Sequence, residues 1–131
     1  FRIEYPGCPA IGRQTYKLAI TPHSFRKQLA SSRTFLTRPE AEWLRSQGLA
    51  TRATHKDALV FEAEGPVDNE VRFEDECVRH KMLDLVGDLA LAGCDIVGQV
   101  TAHCSGHRLN AELVRVLLSE GEKLQPWLRC A

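Results

Sequence analysis

Several scarcities in this 131-residue sequence exclude whole classes of protein. No apolar run approaches the roughly 20 residues that a membrane-spanning helix requires, and no stretch resembles a signal peptide. Neither sign of charge is in excess: Lys plus Arg number 17, Asp plus Glu number 17, and the formal net charge is zero, so the electrostatic footprint of a nucleic-acid binder is missing. The five cysteines, Cys8, Cys77, Cys94, Cys104 and Cys130, are odd in number and include no C-x-x-C pair. That argues against a disulfide framework and a cysteine-type zinc knuckle, and reduced thiols in a cytoplasmic protein are the simplest expectation. Internal repeats and low-complexity segments are lacking too. With 44% apolar residues the chain reads as soluble and globular, long enough for one modest core. A chain that opens on Phe1 is expected to have been cut from something longer.

What is present is organised around residues 72–93, RFEDECVRHKMLDLVGDLALAG. At about 100° per residue on an α-helix, Val78, Met82, Leu85, Val86 and Leu89 fall in one sector while His80, Asp84 and Asp88 rise together on the opposite side. The acids Glu74, Asp75 and Glu76 suit the positive end of the helix dipole, and Gly93 suits a left-handed C-cap. A polar stripe opposite an apolar one is ordinarily solvated surface. Solvated faces favour long Lys, Glu and Arg side chains, however, whereas this one carries short acids, an imidazole, Cys77 and Gly87. An imidazole and a carboxylate at i and i+4 can both reach one cation over a helix, although a tight site needs a third protein ligand from elsewhere. Cys77 reads as a small, partly buried hydrophobe rather than a ligand.

Around this helix the remaining pattern is α+β. Residues 1–5 alternate as a half-buried strand, Pro6, Gly7 and Pro9 break it, and a second strand over residues 14–20 completes a hairpin. Thr21-Pro22 marks the start of a short helix carrying Phe25 and Leu29 inward. Residues 36–61 read as strand, helix, strand: Thr37 caps, Pro39 starts and Gly48 ends the helix, and residues 58–61 return as a strand. Residues 62–69 form a polar linker. The β-branched stretch 95–102 predicts another strand, 103–108 a loop, and 109–118 a helix with Leu109, Leu113, Val116 and Leu117 facing inward. The expected architecture is a two-layer sandwich, a sheet of about five strands with two main helices on one face, plus a small β-α-β insert. His107 falls in the Ser-Gly loop, where a movable side chain can reach a pocket, while His103 has no supporting acid in view.

The helix segment followed by Ser105-Gly106-His107, together with IEYPGCPAIG near the start, SSRTF at 31–35 and SGHRLNAELVRVLL, resembles the C-terminal half of the zinc-dependent UDP-3-O-acyl-N-acetylglucosamine deacetylases of lipid A biosynthesis. The resemblance implies that His80 and Asp84 bind Zn2+, that His107 is a catalytic acid supported by Asp88, and that Lys81 serves the substrate diphosphate. It implies a hydrogen bond from Thr34 to the tetrahedral intermediate, with Phe35 next to it among the substrate contacts, and a grip on the uracil ring by Glu4 and Tyr5, where Asp and Phe are usual. The insert at about 36–61 would help form an acyl passage, but Arg52-Ala53-Thr54-His55-Lys56-Asp57 replace the usual Gly-Gly-Ser and Asn, and His103-Cys104 replace a Tyr-Lys pair. Residues 1–131 would then be the C-terminal catalytic half-domain of a cytoplasmic two-domain amidohydrolase. Its N-terminal domain would supply the third zinc ligand, a His, and the general base, a Glu, so this chain alone would be inactive. The alternative is a non-catalytic α+β binding or scaffold module that keeps the fold only.

Overall fold

The computed structural model describes residues 1–54 and 56–124, with side chains as far as residue 120; His55 and Cys130 lie outside the described residues. The chain opens as the expected hairpin. Strands β1 (Arg2–Tyr5) and β2 (Gly12–Thr15) pair antiparallel, with Arg2 opposite Thr15 and Tyr5 opposite Gly12. Gly12 closes the turn at φ 59°, and a Cβ there would stand 3.2 Å from the Pro9 carbonyl oxygen, so both backbone hand and space call for glycine. β2 stops at Thr15, earlier than its β pattern predicts. The ladder runs out opposite Phe1, whose carbonyl accepts the Tyr16 N–H at 2.8 Å and whose ammonium donates to the Tyr16 carbonyl.

Helix α1 (Pro22–Ser24) starts where Thr21 and Ser24 form a reciprocal capping box and runs directly into a π-helical turn, Phe25–Leu29. Strand β3 (Thr34–Thr37), helix α2 (Arg38–Ser46) and strand β4 (Ala58–Phe61) form the predicted β-α-β unit, with β3 and β4 parallel and Thr34 opposite Ala58. Glu40 Oε2 accepts the Thr37 N–H at 2.7 Å, which satisfies one orphan donor at the start of α2. Helix α3 (Glu76–Ala90) is the central helix, and Gly93 beyond its end adopts the left-handed φ of 69°. Helix α4 (His107–Leu124) packs on α3.

The fold class is α+β, but among the described residues the expected five-stranded sheet is replaced by two separate two-stranded sheets. Residues 95–102 are the chief reason. They form no strand: the one parallel bridge to β1 pairs Arg2 with His103, just beyond the stretch, with Arg2 N donating to Ala102 O and Cys104 N to Arg2 O. β-branched residues favour a strand where a pleated face can be half buried, and here Val97 is 97% exposed. A second correction concerns α4. It begins at His107 instead of two residues later, and Asn110 and Val114 take the inward stripe, leaving Leu109, Val116 and Leu117 exposed. Asn110 hydrogen-bonds Asp88 on α3, which turns that stripe toward α3.

The core lies where the two sheets meet α3: Ile3, Cys8, Ile11, Phe35, Leu59, Phe61, Cys77 and Val78 form one buried cluster. Val78 is fully buried, and burial of such a side chain contributes about 1.5–3 kcal/mol. Met82 and Leu85 continue the apolar face of α3, so the opposite stripe of His80, Asp84 and Asp88 is held in a fixed direction. Among the described residues no helix is long and apolar enough to cross a membrane.

Candidate functional site: two histidine–aspartate pairs on one helix face

Because Val78, Met82 and Leu85 anchor α3, the side chains at 80, 84 and 88 rise on one line beside the start of α4. That line is not solvated surface: the side chains of His80 and Asp84 are each 13% exposed. His80 Nε2 stands 3.3 Å from Asp84 Oδ1. Its other nitrogen, Nδ1, lies 3.3 Å from the Ser32 carbonyl oxygen. A carbonyl can only accept, so where this hydrogen bond forms Nδ1 carries the hydrogen, and Nε2 is the nitrogen that can take a cation together with Asp84 Oδ1. The Phe35 ring meets the imidazole edge-on at 6.2 Å and closes that side with an apolar wall. Lys81 Nζ donates to Asp84 Oδ2 at 3.3 Å, so Asp84 faces an imidazole through one oxygen and an ammonium through the other.

The second pair adjoins the first. His107, at the N-terminus of α4 and 70% exposed, directs Nδ1 at Asp88, 2.9 Å from Oδ2 and 3.1 Å from Oδ1. Its Nε2 is then the free nitrogen, and it stands 4.0 Å from Asp84 Oδ2. Asp88 is fixed in turn, because Asn110 Nδ2 donates to its Oδ2 at 2.8 Å and Ser105 Oγ donates to Asn110 Oδ1 at 2.6 Å. His80, Asp84, Lys81, Asp88 and His107 are thus brought into one constellation.

The remaining candidates stand at varied distances from it. Thr34 is exposed at the first position of β3, two residues past Ser32. Phe35 is buried between the Tyr5 ring, edge-on at 5.4 Å, and His80, so a chain of rings connects Tyr5 to the imidazole. Burial, with help from the charge of Glu40, pushes the Tyr5 hydroxyl up to about 12, so it remains a neutral donor. Glu4 lies apart, paired with Arg2 and with Arg13 at 3.2 Å, and with His103 Nε2 at 3.4 Å. Desolvation would raise its carboxyl, but Arg13 and Arg2 outweigh this and hold it low. His103 accordingly does have an acid beside it, supplied by β1 from the far end of the sequence. Glu4 and Tyr5 also line a cavity of about 470 Å³, shared with Arg38 and Phe61.

Sequence reasoning missed the residues that support the site. Asn110 could have been suspected as a small amide one helical turn after His107; its burial could not. Glu76 was readable only as an acid at a helix start, yet it is fully buried and paired with Arg33 Nε at 2.9 Å. Burial alone would raise its carboxyl, but the Arg33 guanidinium and the backbone N–H groups of Arg72 and Arg33 bring it below the usual range. The Cys77 thiol, pushed up to about 12 by burial, is no thiolate ligand at neutral pH. The donor set of His80 Nε2 and Asp84 Oδ1, with Nδ1 already engaged, fits a divalent ion such as zinc as two of its ligands. Among the described residues no group of three or more His, Cys, Asp or Glu side chains could hold a metal ion.

Fold and site together define an α+β domain that carries two adjacent histidine–aspartate pairs on one helix face. Residues 1–119 match the family described as LpxC, UDP-3-O-acyl N-acetylglycosamine deacetylase, and the chain belongs to that family. It is similar to the UDP-3-O-acyl-N-acetylglucosamine deacetylases of Oleidesulfovibrio alaskensis, 42% identical over 127 residues, and Brucella ovis, 44% identical over 115 residues. These alignments cover 94% and 86% of this chain but only 41% and 40% of the relatives, so the chain spans about two fifths of their length.

Proposed function

We propose that the chain supplies the C-terminal half of the catalytic centre of a cytoplasmic, zinc-dependent UDP-3-O-acyl-N-acetylglucosamine deacetylase, which releases acetate from the 2-amino group of the sugar in lipid A biosynthesis. The observation that carries this reading is the His80 Nε2 to Asp84 Oδ1 pair at 3.3 Å, with its second nitrogen engaged and an exposed His107 beside it. The rest of a longer polypeptide would supply a third ligand, a His, and the general base, a Glu. His80 and Asp84 would hold the ion, which when bound supplies Lewis acidity toward the amide carbonyl and lowers the pKa of water.

The chain's own groups do the rest. Asp88 accepts from His107 Nδ1 and so presents Nε2 to the reacting amide. From there His107 donates a hydrogen bond to the developing oxyanion and passes its proton to the amine nitrogen as the carbon–nitrogen bond breaks. Thr34 adds a hydroxyl to the oxyanion, and Lys81 offers an ammonium to the substrate diphosphate. Glu4 and Tyr5, on the wall of the 470 Å³ cavity, receive the nucleobase end, with Phe35 backing Tyr5. In the full-length enzyme, His107→Ala should lower kcat by about 100-fold or more with zinc still stoichiometric, and His80→Ala should remove the zinc. Equal metal loss in both variants would make His107 a ligand and overturn its part as the acid.

A further inference from the structure

The Ser32 carbonyl and the Arg33 N–H are the two ends of one planar peptide group, and both are engaged by α3. The carbonyl accepts from His80 Nδ1 at 3.3 Å, and the N–H donates to Glu76 Oε1 at 3.0 Å. Glu76 and His80 are one helical turn apart, so their side chains share a face of α3. The same Glu76 carboxylate accepts from Arg33 Nε at 2.9 Å, Arg33 Nη2 at 3.1 Å and Arg72 N at 2.6 Å. Arg33 also reaches the Asn69 side chain and the Glu70 carbonyl, and Arg72 Nη1 reaches the Ser31 carbonyl. Residues 31–33 are therefore pinned on both sides of the peptide that meets the imidazole.

We propose that Glu76 is a positioning residue for His80, acting through the Ser32–Arg33 peptide. This rests on His80 being a zinc ligand. The clamp has two consequences. It fixes the carbonyl as the acceptor of Nδ1–H, so Nε2 is the nitrogen presented, beside Asp84, to the metal. It also polarises the peptide: a carboxylate on the N–H end makes the carbonyl oxygen a better acceptor, which makes the donating imidazole a better ligand. A carboxylate bound directly to a ligand histidine does the same, and here the effect passes through one amide. An acid serving only the dipole of α3 would work at the surface, whereas the side chain of Glu76 is wholly buried.

The test uses the full-length enzyme. In the zinc-loaded protein, nitrogen-15 spectra of labelled histidine should show His80 bound to the metal through Nε2 with its hydrogen on Nδ1. Glu76→Gln preserves the shape and removes the charge; it should weaken zinc binding by about 10- to 100-fold in a chelator competition, the usual effect of losing an outer partner, in protein whose circular dichroism is native. A purely structural Glu76 would lower the thermal midpoint and leave both zinc affinity and tautomer unchanged, and that result would overturn the proposal. Should Glu76→Gln not fold, zinc bound through His80 Nδ1 in the wild type overturns it without any variant. Zinc retained in His80→Ala would instead strike the ligand assignment on which the proposal rests.

Discussion

Glu76 also makes a stability prediction at the scale of a single residue. Its carboxyl is held below the usual range, against burial, by Arg33 and two backbone donors. A carboxyl whose folded pKa lies below its unfolded value of about 4.3 contributes stability fully present above that value and lost as pH falls through the folded one. Urea unfolding should therefore show the chain losing stability as pH drops below about 4.3. Glu76→Gln should cost about 3 kcal/mol at pH 7, the scale for removing one partner of a buried pair, and the gap to wild type should narrow in acid. A gap that stays constant from neutral pH to about pH 3 would mean that Glu76 is not the titrating group. Asn110 belongs to the same scale, since the amide that orients Asp88 is buried and carries no charge for a sequence reading to notice.

At the scale of elements, what was legible depended on whether an element carries its own instructions. The amphipathic period of α3 separates Val78, Met82 and Leu85 from His80, Asp84 and Asp88, and the structure follows that division. Thr37, Pro39 and Gly48 bound α2 locally, so the β-α-β unit was readable as well. Residues 95–102 were not, because a strand is specified by its neighbour as much as by its residues, and among the described residues no strand pairs along that stretch, the nearest bridge joining Arg2 to His103. For the site, the two His–Asp pairs follow helix spacing and motif, whereas the Ser32 carbonyl, Arg33 and Glu76 meet across more than 40 positions, which no local pattern encodes. Two substitutions check this account by urea unfolding. Val97→Asp should change stability by less than about 0.5 kcal/mol, as expected for exposed surface, and Gly12→Ala should cost about 1–2 kcal/mol for the left-handed backbone. A large loss at Val97 would mean that the stretch is packed after all.

At the scale of the whole molecule, the chain matches relatives more than twice its length, and the proposed function gives it two zinc ligands, His80 and Asp84, which meet on α3. Two protein ligands leave a zinc chelate incomplete. The most direct measurement is calorimetric titration of zinc into this 131-residue chain, wild type and His80→Ala. Half of a metal centre predicts binding weaker than about 1 μM, above roughly −8 kcal/mol, that disappears in His80→Ala. Submicromolar binding that survives His80→Ala would contradict the assignment of the α3 face as the metal-binding half-site.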